Sequence, residues 1–376
     1  MNNNPLKILE SLGQSIWLDY IRRDLVKDGG LERLINEDGL RGMTSNPAIF
    51  EKAIADSNIY DPDIQKMARD GKSVNEIYET ISQEDVRDAA DVFMPLFEQT
   101  NGDDGYVSLE VNPHLAHDAN GTIEEGRRLW TALDRPNVFI KVPATKEGLK
   151  AIRQLITDGI NVNVTLLFNL PRYRAVAEAY VEGLETRLVQ GKPIKQVTSV
   201  ASFFLSRIDT LVDPQLEEII PLDSQTKIAA KEAHGEVAIS SAKAAYQIYK
   251  EIFGSPRFKK LERKGARVQR LLWASTSNKN PEYSDVKYVE ALIGKNTVNT
   301  VPPQTIDAYR DHGDPKLRLS LDIEKANRVL ASLSKLGIDL DLVTQQLENE
   351  GVSKFNEPFD QLMETLTKKS HEKAKV

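Results

Sequence analysis

Lys141 stands in the middle of an apolar run, VFIKVP (138–143), between Ile140 and Val142. An ammonium ion is costly to bury in such a run, so the residue either found a partner or was placed to react. A lysine held among apolar walls loses hydration, which disfavours its charged form and lowers the pKa from about 10.4 toward neutrality. The neutral amine attacks carbonyls to give a Schiff base, and the iminium then accepts the electrons of a breaking carbon–carbon bond. Each stage moves protons, and Glu110 and Asp19 are two carboxylates able to share them. The competing reading is that Lys141 only forms a salt bridge with one of them.

The elements that must position these groups read as short strands alternating with amphipathic helices. The strand candidates are SIWLDY (15–20), LRGMTSN (40–46), YVSLEVN (106–112), VFIKVP (138–143), INVNVTLLF (160–168), VTSVASFF (197–204), VQRLLWAST (268–276) and NTVNTV (296–301). This alternation gives right-handed βαβ units, and eight such strands predict a closed (β/α)₈ TIM barrel. Extra helical pattern lies in 47–100, after the second strand. More follows the eighth strand, broken at Gly337 and Gly351, with a frayed lysine-rich end after Lys368. Residues 1–376 are therefore expected to form one barrel domain, with 319–368 as a packed helical appendage.

Parallel strands covered by helices are usually near-continuous in apolar residues. Here several alternate: in INVNVTL one phase is Ile160, Val162, Val164 and Leu166, the other Asn161, Asn163 and Thr165. A polar phase turned into the barrel breaks the usual packing rule, and such breaks tend to mark functional sites. Asp19, Thr44, Asn46, Glu110, Lys141, Asn163, Thr165 and Ser202 would converge at the strand ends that precede the βα loops. Asn46, Asn163 and Ser202 offer neutral donors and acceptors suited to sugar hydroxyls. Arg207, at a helix start, suits a phosphate, as does the stretch STSNK (275–279) after the seventh strand.

Other signals are weaker. His114 and His117 near Glu110 lack the spacing of a metal motif, because Asn112-Pro113 breaks the helix between them and the glutamate. The segment DANGTIEEGRRL (118–129) ends in Leu129 where a calcium loop needs a glutamate. Neither a P-loop nor a glycine-rich dinucleotide turn follows a strand, so no cofactor and no metal are expected. The charge, 49 basic against 56 acidic side chains, is spread along the chain and argues against nucleic acid as a partner. There is no cysteine, and the start lacks a signal-peptide pattern, so a cytoplasmic protein without a membrane segment is expected. Monomer and homodimer both stay open.

Five stretches together resemble the transaldolases. GMTSNPAIF (42–50) is similar to the family's second-strand ending, FIKVPATKEG (139–148) to its Schiff-base strand, and GINVNVTLLF (159–168) to the strand carrying an asparagine and a threonine. SFFLSR (202–207) and YVSLEVNP (106–113) also match, all in the family's order, and the long C-terminal segment resembles a bacterial subgroup. The resemblance implies transfer of a dihydroxyacetone unit between phosphosugars in the pentose phosphate pathway, from sedoheptulose 7-phosphate to glyceraldehyde 3-phosphate. It implies Lys141 as the Schiff base, Glu110 acting through a water held with Thr165, and Asp19 as the acid and base of carbon–carbon cleavage. It implies Thr44, Asn46, Asn163 and Ser202 around the dihydroxyacetone unit and Arg207 on the phosphate. Family members carry an arginine after the seventh strand where this chain reads ASTSNKNP, so Ser277 and Lys279 are the expected substitutes. A fructose-6-phosphate aldolase, which releases free dihydroxyacetone, and a non-catalytic phosphosugar-binding barrel are the alternatives.

Overall fold

The structure is a computed structural model, and it describes residues 4–220 and 224–371. Eight parallel strands close into a barrel in sequence order. They are β1 (Gln14–Asp19), β2 (Gly42–Thr44), β3 (Tyr106–Glu110), β4 (Val138–Pro143), β5 (Val162–Leu167), β6 (Ser199–Phe204), β7 (Arg270–Ala274) and β8 (Thr297–Val301). Among the described residues, no helix is long and apolar enough to cross a membrane.

Several strands are shorter than their sequence patterns, for local reasons. Asn46 leaves β2 because its side chain accepts the Ile49 N–H and caps the next helix, which begins at Pro47. After β7, Ser275 takes a left-handed conformation (φ 53°) and turns the chain out of the sheet. Within β5, Leu166 is also left-handed (φ 55°), where the register with β6 shifts before Leu167 pairs with Phe203.

The alternation of side chains divides the barrel interior into an aromatic floor and a polar upper layer. Trp17 stacks on Tyr106 (6.4 Å between centroids) and on Phe139 (6.1 Å), and Tyr106 on Phe139 (4.4 Å). Two residues further along these strands, on the same face, come Asp19, Ser108 and Lys141. Below the floor, at the N-terminal mouth, Arg270 donates to Ser15 and to Asp104.

The floor requires a residue without a side chain beside Trp17. Gly42 pairs with Trp17, and a Cβ there would lie 2.5 Å from the indole ring. Gly42→Ala is therefore expected to destabilise the barrel by about 1–3 kcal/mol through overpacking, measured by denaturant unfolding. An unchanged midpoint would mean that the floor can shift to admit a methyl group.

Extra helices do follow β2, at Pro47–Ala55, Asp61–Arg69 and Val74–Gln99. The C-terminal segment differs from its sequence pattern. Gly337 ends a helical stretch as expected, at φ 77°. Gly351 breaks nothing: one helix runs continuously over Leu340–His371. This glycine serves close packing, since a Cβ would lie 3.0 Å from Leu166 Cδ2. The expected frayed end is helical through His371, and 372–376 lie outside the described residues.

Candidate active site

Lys141 is buried at 4% exposure, and its register partners are Glu110 on β3 and Asn163 on β5. Its Nζ lies 3.2 Å from Glu110 Oε2 and donates to the Ser45 carbonyl at 3.1 Å. That carbonyl is held in place because Ser45 Oγ donates to the Ser108 carbonyl of β3 at 2.7 Å. The Phe355 ring centroid lies 5.4 Å from Nζ. The lysine thus has one carboxylate and one carbonyl as partners, with an aromatic face beside it.

Both nearby carboxyls are raised from their ordinary values. Burial pushes Glu110 up to about 7; Lys141 opposes this, and Asp19 adds to it. Burial also raises Asp19, opposed by Lys141, by the hydrogen bond from Thr44 and by Arg207. Thr44 Oγ1 donates to Asp19 at 2.7 Å and lies 2.7 Å from Thr300 Oγ1. Among the described residues, Glu110 Oε1 and Thr165 Oγ1 are buried without a hydrogen-bond partner. A carboxyl poised near neutrality beside a lysine amine can give or take a proton at physiological pH.

The amides are fixed by their neighbours. Asn163 Nδ2 donates to Ser108 Oγ at 3.0 Å, and its Oδ1 accepts from Ser202 Oγ at 2.7 Å. Arg207 sits in the first turn of the helix Ser206–Ile219, its guanidinium 5.5 Å from the Phe204 ring. Its Nη1 is buried and has no partner among the described residues. A buried cationic N–H without an acceptor is the kind of group that an anionic ligand satisfies. Lys279 Nζ donates to Ser277 Oγ at 3.0 Å, and Asn278 holds their loop by donating to the carbonyls of Asn280 and Tyr283.

These residues surround one cavity of about 180 Å³. Asp19, Thr44, Asn46, Lys141, Thr165, Ser202, Arg207, Ser277 and Lys279 all line it. Glu110 and Asn163 are outside its lining; Glu110 touches Lys141, and Asn163 supports Ser202. His114 instead meets Asp360, and His117 meets Glu147, both at the surface. Among the described residues, no group of three or more His, Cys, Asp or Glu could hold a metal ion.

A family model described as transaldolase/fructose-6-phosphate aldolase matches residues 16–366. The chain is 50% identical over 373 residues to a transaldolase from Trichodesmium erythraeum (strain IMS101), covering 98% of each chain. It is 47% identical over 360 residues to one from Thiobacillus denitrificans (96% of this chain, 99% of the relative), and 44% identical to one from Frankia alni (97% of each). The chain belongs to the transaldolase family. It is thus a transferase, and its likeness to other transaldolases includes nearly all of the C-terminal helix.

Three features of this transaldolase site were not legible from the motifs. Thr300 shares the inward phase of β8 and bonds to Thr44, and the polar pattern of NTVNTV could have flagged it. Phe204 lines the cavity two residues after Ser202, on the same face of β6. Phe355 comes from the C-terminal helix, and no local pattern links it to the barrel.

Proposed function

We propose that this transaldolase transfers a dihydroxyacetone unit between phosphosugars through a Schiff base on Lys141. The observation that carries this reading is a buried amine 3.2 Å from a carboxyl pushed up to about 7, at a cavity that Arg207 also lines. The neutral amine adds to the C2 carbonyl of a ketose phosphate and gives a carbinolamine. Glu110, with Thr165 holding the water, assists its loss as the iminium forms. Asp19 takes the C4 hydroxyl proton as the C3–C4 bond breaks. The bonding electrons pass into the iminium, leaving an enamine on Lys141 and a free aldose. The acceptor aldehyde then reverses these steps, and hydrolysis frees the amine. Thr44, Asn46, Asn163 and Ser202 orient the three-carbon unit. Arg207, Ser277 and Lys279 take the phosphate.

The donor is sedoheptulose 7-phosphate and the acceptor glyceraldehyde 3-phosphate, giving erythrose 4-phosphate and fructose 6-phosphate in the cytoplasm. Supplying fructose 6-phosphate with and without erythrose 4-phosphate tests the reaction class. Sedoheptulose 7-phosphate should accumulate only with the acceptor. Equally fast release of free dihydroxyacetone without it would make the protein a lyase.

The phosphate assignment has its own test. Arg207→Gln removes a charged donor worth about 1.5–3 kcal/mol to an anion, so KM for the phosphosugar should rise about 10–100-fold with kcat little changed. An unaltered KM would place the phosphate elsewhere.

A further inference from the structure

The C-terminal helix Leu340–His371 crosses the barrel mouth as a strap tied at both ends. At its start, Asn169, just after β5, donates to Asp341 and Thr344 at 2.8 and 3.0 Å. Near its end, Lys369 donates to the Ser57 carbonyl and to Asp61 at 3.0 and 2.6 Å. Between these ties, His114 meets Asp360 at 2.8 Å and the Phe359 ring packs edge-on to Tyr78. Gly351 lets the helix descend onto Leu166, at the irregular end of β5. Phe355 is one turn further along the same face, and that descent brings its ring to 5.4 Å from Lys141 Nζ. The ring is 6% exposed and lines the cavity with Asp19, Arg207 and Lys279.

We infer that Phe355 is a positioning residue that shields the lysine-bound enamine from bulk water and so commits this enzyme to transfer over release. The inference rests on the Schiff-base reading above. Once the aldose has left, the enamine carbon has two fates. In transfer it attacks the acceptor's aldehyde carbon, a carbon–carbon bond forms, and the aldehyde oxygen takes the proton from Asp19. In release the same carbon takes a proton from solvent instead and becomes an iminium. Water then adds, the carbon–nitrogen bond breaks, and dihydroxyacetone and the lysine amine are left. Both branches end in hydrolysis by one water, matching the one expelled when the imine formed. Only release needs a solvent proton at carbon. An apolar ring fixed beside Lys141 by a helix tied at two ends denies that proton an approach, while the aldehyde brings its own electrophile.

The test is the ratio of dihydroxyacetone release to transfer, measured on the full chain. Fructose 6-phosphate is supplied in deuterated water with and without erythrose 4-phosphate, and borohydride trapping on Lys141 is followed in parallel. Phe355→Ala should raise the ratio about tenfold, with deuterium appearing in the released dihydroxyacetone. Phe355→Leu, which keeps an apolar plug, should stay near the wild type. Phe355→Gln should behave like the alanine variant, and it carries the test should the latter fail to fold. General damage to the site slows both branches together and leaves the ratio alone. An unchanged ratio in Phe355→Ala and Phe355→Gln, with the adduct still forming on Lys141, would overturn this role and spare the Schiff-base reading. No adduct in the wild type would overturn that reading itself.

Discussion

Lys141→Met should abolish transfer, by about 10⁴-fold or more, and leave the barrel folded. Methionine has nearly the volume of lysine and no nucleophilic nitrogen. The exchange leaves Glu110 without its positive partner at 3.2 Å, in a site where burial already pushes the carboxyl up to about 7. Glu110 then takes a proton at neutral pH and stays uncharged, so no isolated charge is left buried. The transfer assay and the unfolding midpoint of the same preparation check both halves. Lys141→Arg separates charge from chemistry, because it keeps the cation and loses the nucleophile; it too should be inactive. Full-rate turnover in either variant would end the assignment of the amine.

Glu110→Gln should slow transfer by about 10²–10³-fold while some imine still forms, because the amine survives and only the proton donor is lost. Rapid-quench borohydride trapping measures the imine step by itself. Wild-type kinetics would remove Glu110 from the reaction. The same variant has a pH signature in stability. The folded-state pKa of Glu110 is raised from 4.5 to about 7, so between those values the folded protein binds more protons than the unfolded chain. Stability from this group is therefore present at low pH and is lost as pH rises from about 4.5 to 7, by on the order of 3 kcal/mol. Glutamine does not titrate, so the wild type should lose stability relative to Glu110→Gln across that window in denaturant midpoints. A difference that stays flat with pH would mean that Glu110 ionises as an ordinary carboxyl.

The polar lining of the cavity was legible because strands write their faces at period two. Asn163 and Thr165 in β5, and Lys141 in β4, stood out as polar residues in a phase where a packed barrel wants apolar ones; Thr165 and Lys141 line the cavity, and Asn163 stands behind Ser202. The aromatic floor explains how such a polar layer is tolerated: Trp17, Tyr106 and Phe139 fill the barrel beneath it. Strand ends were less legible, because helix caps and left-handed residues set them. Asn46 alternates with its neighbours like a strand residue, yet its side chain caps a helix. Gly351 shows the same limit. In sequence a glycine within a helical pattern reads as a break, whereas its role depends on Leu166, a residue remote in the chain. Phe355 was invisible for that reason too: only the path of the whole helix brings it to Lys141.

The most direct measurement is borohydride reduction in the presence of fructose 6-phosphate, followed by intact-mass analysis and peptide mapping. The expected result is one stable adduct of dihydroxyacetone size, on Lys141, formed on addition of donor alone. An adduct on another lysine, or none at donor concentrations that saturate binding, would contradict the mechanism and leave Lys141 as a buried charge paired with Glu110.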